Sequence, residues 1–188
     1  MQRHTRTIER LLLEADKRLS NFRLKAVEIG VLEGRTSAHL LKSCPRLFLI
    51  MVDPWAPIPE YLASESPTGL GRWKLKQFEK AYQSALRRTA FAADRRDVYR
   101  MMSTTASQFQ ANNTLSLVFI DGDHRKEAVL QDILTWWPKL LPTGILCGHD
   151  YNQRKRPGVT EAVNEWAGRR GIEISTGAGH VWWVQRSP

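Results

Sequence analysis

Apolar residues along this chain follow two spacings that alternate: short unbroken runs, and stripes recurring every three or four positions. The runs are Lys25–Ile29, Leu47–Val52, Val98–Met102, Leu115–Ile120 and Ile145–Cys147. Runs without a polar alternate read as strands buried on both faces, the setting of a parallel sheet covered by helices. Of the stripes, Ile8, Leu11, Leu12, Ala15 and Leu19 share one face of a helix expected over Thr7–Asn21. Further helices are expected over Thr36–Leu41, Trp73–Ala90, Glu127–Leu141 and Val159–Arg170. Thr36 or Ser37 is placed to cap the helix Thr36–Leu41. In the helix from Glu127, Val129, Leu130, Ile133, Leu134, Trp137 and Leu140 are expected to face inward. Ile172–Ser175 and Val181–Val184 read as two late strands joined through Thr176-Gly177-Ala178-Gly179. Strands alternating with helices predict an α/β fold with an open, Rossmann-like doubly wound sheet.

The 188 residues suit one domain, 1–188, with an N-terminal helical segment over 1–24. The stretch 54–75 opens rich in Pro, Ser and Gly and is too long for a simple connector. It reads as a lid or substrate-binding loop, with Trp55, Tyr61 and Trp73 as aromatic candidates for stacking on an acceptor. Tyr151 is a fourth such candidate.

Composition narrows the setting. A hydrophobic fraction of 42% and a charged fraction of 25% are those of a soluble globular chain. No apolar run approaches the roughly 20 residues a membrane span needs. The basic start Met1–Thr7 is followed by no long apolar core, and Glu9, Glu14 and Asp16 do not suit a transit peptide. A cytoplasmic location is expected. Cys44 and Cys147 are far apart and lack metal-ligand spacing, which predicts two reduced, buried thiols. The net charge of +9 would attract a polyanion such as RNA. Its basic residues are scattered pairs without a compact RNA-binding motif, so a solvated basic surface is the simpler reading.

The chemistry concentrates where the expected strands end. The first closes on Glu28 and runs into a turn spaced E-x-G-x-x-x-G, with Gly30 and Gly34. Glycines there let backbone approach a nucleoside closely. The second strand ends at Asp53, where an acid can accept hydrogen bonds from ribose hydroxyls. Ser103 and Thr104 follow the third strand, as ligand contacts or helix caps. The fourth ends in Asp121-Gly122-Asp123-His124, and the fifth in Gly148-His149-Asp150-Tyr151. Parallel α/β sheets bind ligands at this edge. The turn has neither a second close glycine nor a phosphate-holding lysine, which suits a ligand without phosphates.

The stretches V-E-I-G-V-L-E-G-R-T-S (27–37), M-V-D-P-W (51–55), 117–151 with I-D-G-D-H and G-H-D-Y, and the closing H-V-W-W-V (180–184) resemble class I S-adenosylmethionine-dependent methyltransferases. Within that class they are similar to the small-molecule and sugar O-methyltransferase branch. The resemblance implies a seven-stranded sheet, mostly parallel, with the last strand antiparallel. It implies that Glu28, Gly30 and Gly34 frame the methionine part of the cofactor, that Asp53 holds the ribose, and that Ser103 and Thr104 border the adenine beside Asp121. His124 takes the role of general base, a task suited by a histidine's ordinary pKa of about 6.5, next to Asp121. Asp121 and Asp150 become ligands of a divalent cation such as Mg²⁺. The third oxygen ligand of metal-dependent relatives is missing; His149 and Tyr151 stand there instead, and His149 would suit a softer metal.

The expected activity is O-methylation of a hydroxyl on a small molecule or sugar, with no membrane partner. Two alternatives stand beside it: an RNA methyltransferase, motivated by the charge, and a non-catalytic S-adenosylmethionine-binding module. The acceptor and the oligomeric state, a homodimer among the options, are not written in the sequence.

Overall fold

A computed structural model describes residues 3–19, 23–58 and 73–187. Helix α1 spans Arg3–Lys17 and precedes strand β1, Lys25–Ile29. Then follow α2 (Arg35–Ser43), β2 (Phe48–Val52), α3 (Leu75–Arg88), β3 (Arg96–Tyr99), the one-turn α4 (Ser103–Ala106) and β4 (Leu115–Ile120). Helix α5 (Lys126–Trp136), β5 (Leu140–Gly148), α6 (Pro157–Gly168), β6 (Ser175–Gly177) and β7 (Val181–Gln185) complete the chain.

The strands form one seven-stranded sheet in the order β3-β2-β1-β4-β5-β7-β6. The first five pair in parallel, and β7 is antiparallel to both neighbours. This is the doubly wound, Rossmann-like sheet with an antiparallel last strand. Strand order reverses between β1 and β4, so their C-terminal ends border a crevice.

Alternation along the strands splits the core between two faces. Ala26, Leu49, Met51, Leu117, Phe119 and Cys147 point to the layer of α1, α2 and α3. Val27, Ile29, Ile50, Val52, Val118 and Leu146 point to the layer of α5 and α6. Both faces being covered is why the central strands read as continuous apolar runs. Cys44 and Cys147 are buried and unpaired. Among the described residues no helix is long and apolar enough to cross a membrane.

Several boundaries differ from the sequence-based expectation. Helix α1 starts at Arg3 rather than Thr7, which brings His4 into the fold. Strand β3 lies at Arg96–Tyr99, not Val98–Met102; it pairs on one side only, so polar Arg96 and Asp97 are tolerated there. Strand β5 begins at Leu140 through an irregular register beside Leu115 and Leu117. The sixth strand is Ser175–Gly177, so Thr176 and Gly177 belong to the ladder rather than the turn. On α5 the buried face is Val129, Asp132, Ile133 and Trp136, whereas Leu134 is exposed. Most of the 54–75 loop, with Tyr61, lies outside the described residues.

Candidate active site

A cavity of about 640 Å³ opens at the C-terminal edge of β1, β2, β4 and β5, within the size range of small-molecule sites. Its wall includes Glu28, Gly30, Asp53, Ser103, Thr104, Asp121, His124 and His149. Residues dispersed over more than 120 positions thus meet in one place. The expected convergence is real.

The turn after β1 is held from within. Gly30 has φ +87°, and a Cβ there would lie 2.2 Å from the Asp121 carbonyl oxygen. Only glycine lets the two strand ends close together at this point. Gly34 has φ +71°, and its missing side chain makes room for Ala85 of α3, 2.8 Å from a Cβ placed there. Its contribution is to dock the turn on α3, and it is not among the residues lining the cavity. Gly34 also precedes α2 without a side-chain cap. Ser37, expected to cap that helix, instead donates its hydroxyl to Glu28 Oε2. Burial pushes the Glu28 carboxyl up to about 8, so it is protonated near neutrality.

Asp53 closes the same turn. Its Oδ2 accepts from the backbone N–H groups of Val31 at 3.0 Å and Leu32 at 2.9 Å, and its Oδ1 accepts from Trp55 N at 2.7 Å. Burial raises its pKa, opposed by these three bonds. A carboxylate offers about four acceptor sites, so the turn takes three. Trp55 is fully buried and donates Nε1–H to the Leu32 carbonyl at 2.7 Å. It anchors the turn and is not free to stack on an acceptor. Tyr151 likewise gives its hydroxyl to Asn164 at 2.7 Å. Trp73 does line the cavity, edge-on to Phe78.

On the β3 side, Ser103 is engaged by its neighbours. Its Oγ accepts Trp136 Nε1–H at 2.7 Å, and its hydroxyl lies beside Asp132, whose pKa it lowers. Asp132 is buried and borders the cavity. The signal for it was in the sequence: an acid at position 132 falls on the apolar stripe of α5, between Val129 and Trp136.

The ends of β4 and β5 are different in kind. Asp121, His124, His149 and Asp150 crowd together, joined by His4 from α1 and Arg156 from the loop before α6. His124 Nε2 lies 2.8 Å from Asp150 Oδ2 and 4.0 Å from Asp121 Oδ1. Neither of its ring nitrogens makes a well-formed hydrogen bond, although both are buried. His149 Nδ1 is 3.2 Å from both Asp121 Oδ1 and Asp150 Oδ1. Asp150 is fully buried at φ 63° and also receives Gln153 and Arg156. Against its burial, the facing histidines and Arg156 hold the Asp150 carboxyl down at about 2. Asp121 is also held below its ordinary value, because His124 and His149 outweigh its burial. Burial works against a charged His124 and His149, yet the neighbouring carboxylates raise both pKa values. His4 goes the other way, lowered by burial and by His149, whose ring lies 4.4 Å away.

Metal-ligating atoms of Asp121, His124 and Asp150 all lie within 4.8 Å of one another. His149 Nδ1, 3.2 Å from an oxygen of each aspartate, stands beside this trio. Two carboxylates and an imidazole whose nitrogens lack hydrogen-bond partners suit a divalent ion. His4, Asp132 and Arg156 are the site residues that the sequence reading missed. His4 fell outside the expected helix, and Arg156 was one basic residue among several.

The chain belongs to the methyltransferase-domain family, whose model matches residues 27–151. No curated protein gives a significant sequence match. The chain is similar in fold to the O-methyltransferase NovP, with TM-score 0.76 and 16% identity over 98% of this chain and 80% of that one. It is also similar to CalS11, a calicheamicin methyltransferase, with TM-score 0.69 and 13% identity over 98% and 80% of the two chains. The O-methyltransferase TomG from Streptomyces achromogenes, solved with S-adenosylmethionine, gives TM-score 0.59 and 16% identity over 95% and 79%.

Proposed function

We propose that this chain transfers a methyl group from S-adenosylmethionine to a hydroxyl of a small molecule or sugar. One observation carries the reading: a single cavity joins the glycine turn after β1 to the carboxylate–histidine cluster at β4 and β5. The first end suits a nucleoside donor and the second suits proton removal. NovP and TomG are O-methyltransferases and CalS11 is a TDP-rhamnose 3'-O-methyltransferase; those activities belong to those proteins, and they support a small-molecule acceptor here by analogy of fold.

Glu28, Gly30 and Asp53 would hold the methionine and ribose parts of the donor, with Gly34 shaping the turn from behind. Thr104 and the segment around Ser103 would border the adenine, and Asp121 would close the site from β4. The space left where Gly30 lacks a side chain is taken by the Asp121 backbone, so donor and acceptor ends share one wall. The sulfonium supplies an electrophilic methyl group. The protein must align the acceptor oxygen and relieve it of its proton. In this reading His124 takes that proton as general base, while Asp121 and Asp150 stabilise the imidazolium that forms. Because those carboxylates raise its pKa, the free-base form of His124 grows in above the usual 6.5.

A divalent cation on Asp121, His124 and Asp150 is the second form of the same site. There the ion would lower the acceptor hydroxyl's pKa as a Lewis acid, and His124 would be a ligand rather than the base. The nitrogen ligand favours Mn²⁺ or Zn²⁺ over Mg²⁺.

The test is calorimetry of S-adenosylmethionine and S-adenosylhomocysteine against purified protein, with NAD as control, after chelation and again with Mg²⁺, Mn²⁺ or Zn²⁺. Micromolar binding of the adenosyl ligands alone is expected; binding of neither overturns the reading. Turnover that survives chelation assigns the metal-free form, in which loss of turnover in His124→Ala identifies the base, and turnover restored only by a divalent ion assigns the metal form.

A further inference from the structure

Asp132 is a buried acid without an assigned task. It projects from the apolar stripe of α5, it borders the cavity, and the neighbouring Ser103 hydroxyl lowers its pKa against the burial. Among the described residues no basic side chain forms an ion pair with it. Burial raises its carboxyl to about 7, as expected for an acid with one hydroxyl partner and no cation. Ser103 is already engaged: its oxygen accepts from Trp136 Nε1–H at 2.7 Å, and its hydroxyl lies beside Asp132 and lowers that acid's pKa. Both border the cavity, and Asp132 has the greater acceptor capacity to spare: a carboxylate offers about four acceptor sites and the Ser103 oxygen two, one of them taken by Trp136.

The sheet order says which end of a ligand would meet it. Strand β3 lies two places to one side of β1, and β5 two places to the other. Ser103 and Asp132 therefore stand on the opposite flank of the glycine turn from Asp150 and His149. A donor whose reactive end reaches the carboxylate–histidine cluster must direct its far end toward β3. For an adenosyl donor that end is the purine.

We infer that Asp132 is the residue that recognises the adenine, accepting a hydrogen bond from its exocyclic amino group, with Ser103 and Trp136 holding the carboxyl in place. The inference rests on the adenosyl-donor reading above. A buried acceptor left unpaired is costly, so a ligand that brings an N–H donor gains at this point, and one that lacks it loses.

The experiment compares S-adenosylhomocysteine with its purine analogue lacking the 6-amino group, by calorimetry on the wild type and on Asp132→Ala. Wild type is expected to bind the amino ligand about 10- to 100-fold tighter. In Asp132→Ala that ratio collapses toward one, while both ligands still bind. Asp132→Leu, which fills the buried volume without an acceptor, gives the same collapse if the alanine variant does not fold. Ser103→Ala, which frees the carboxyl to move, narrows the ratio without abolishing it. A wild type that binds both ligands equally, or a ratio unchanged in the Asp132 variants, overturns the assignment and leaves the adenosyl-donor reading standing. A wild type that binds neither ligand overturns both.

Discussion

Two halves of one sheet edge solve opposite problems. At β1 and β2 the polar groups satisfy one another: Asp53 binds three backbone N–H groups, Trp55 locks onto Leu32, and Ser37 answers Glu28. At β4 and β5 the groups are crowded and not fully satisfied: two aspartates, three histidines and an arginine converge, and His124 keeps both nitrogens without a hydrogen bond. The first half is tied together by its own hydrogen bonds. The second holds charge in tension, which is how a site keeps groups ready for proton transfer or a cation. Shape is set on one side and chemistry on the other.

Substitutions can separate the halves, beginning with the largest effect. His124→Ala should lower turnover by about 100- to 10,000-fold while S-adenosylhomocysteine affinity stays within a few-fold; a joint loss of both would show that the halves are not separable. Gly30→Ala forces a Cβ onto the Asp121 backbone and should cost about 3 kcal/mol of stability, read by denaturant unfolding. Because Gly30 is where the halves touch, this variant should also lower turnover. Asp53→Ala strips three N–H groups of their acceptor and should cost about 2 kcal/mol. It should weaken S-adenosylhomocysteine binding roughly tenfold and leave the pH profile of turnover in place.

Glu28→Gln is the mildest. The Glu28 pKa is about 8 in the folded chain against 4.5 as the free value, so folding favours its protonated form. That contribution is complete below pH 4.5 and is lost as pH rises through 8. Wild-type stability should therefore fall across this window by at most about 1.4 kcal/mol per pH unit from this group. Glutamine keeps the neutral partner for Ser37 and should flatten the slope. An unchanged slope in unfolding curves at pH 5 to 8 would place the titrating group elsewhere.

The sequence made the sheet legible because parallel strands covered on both faces must be apolar throughout, as in Leu115–Ile120. It was weakest at the edge. Strand β3, paired on one side, carries Arg96 and Asp97 and was placed two residues late. On α5 the apolar stripe is inward except at Leu134, but a stripe read from apolar residues alone hides the buried Asp132. Glycine spacing marked Gly30 and Gly34 equally, whereas one glycine faces Asp121 and the other Ala85. Aromatic residues offered no way to tell packing from recognition, and Trp55 is packing.

What the sequence determined by itself was the alternation of strand and helix and the placing of acids, glycines and histidines at strand ends, because hydrophobic periodicity and turn chemistry are local. The family followed from those motifs. Only the tertiary structure decided which of those polar groups are spent on one another and which face the cavity. Whether Asp53 is saturated, whether Ser103 is free, and how closely His124 and His149 approach the two aspartates depend on distances between residues far apart in the chain. Those distances are set by packing the whole sheet against its two helical layers.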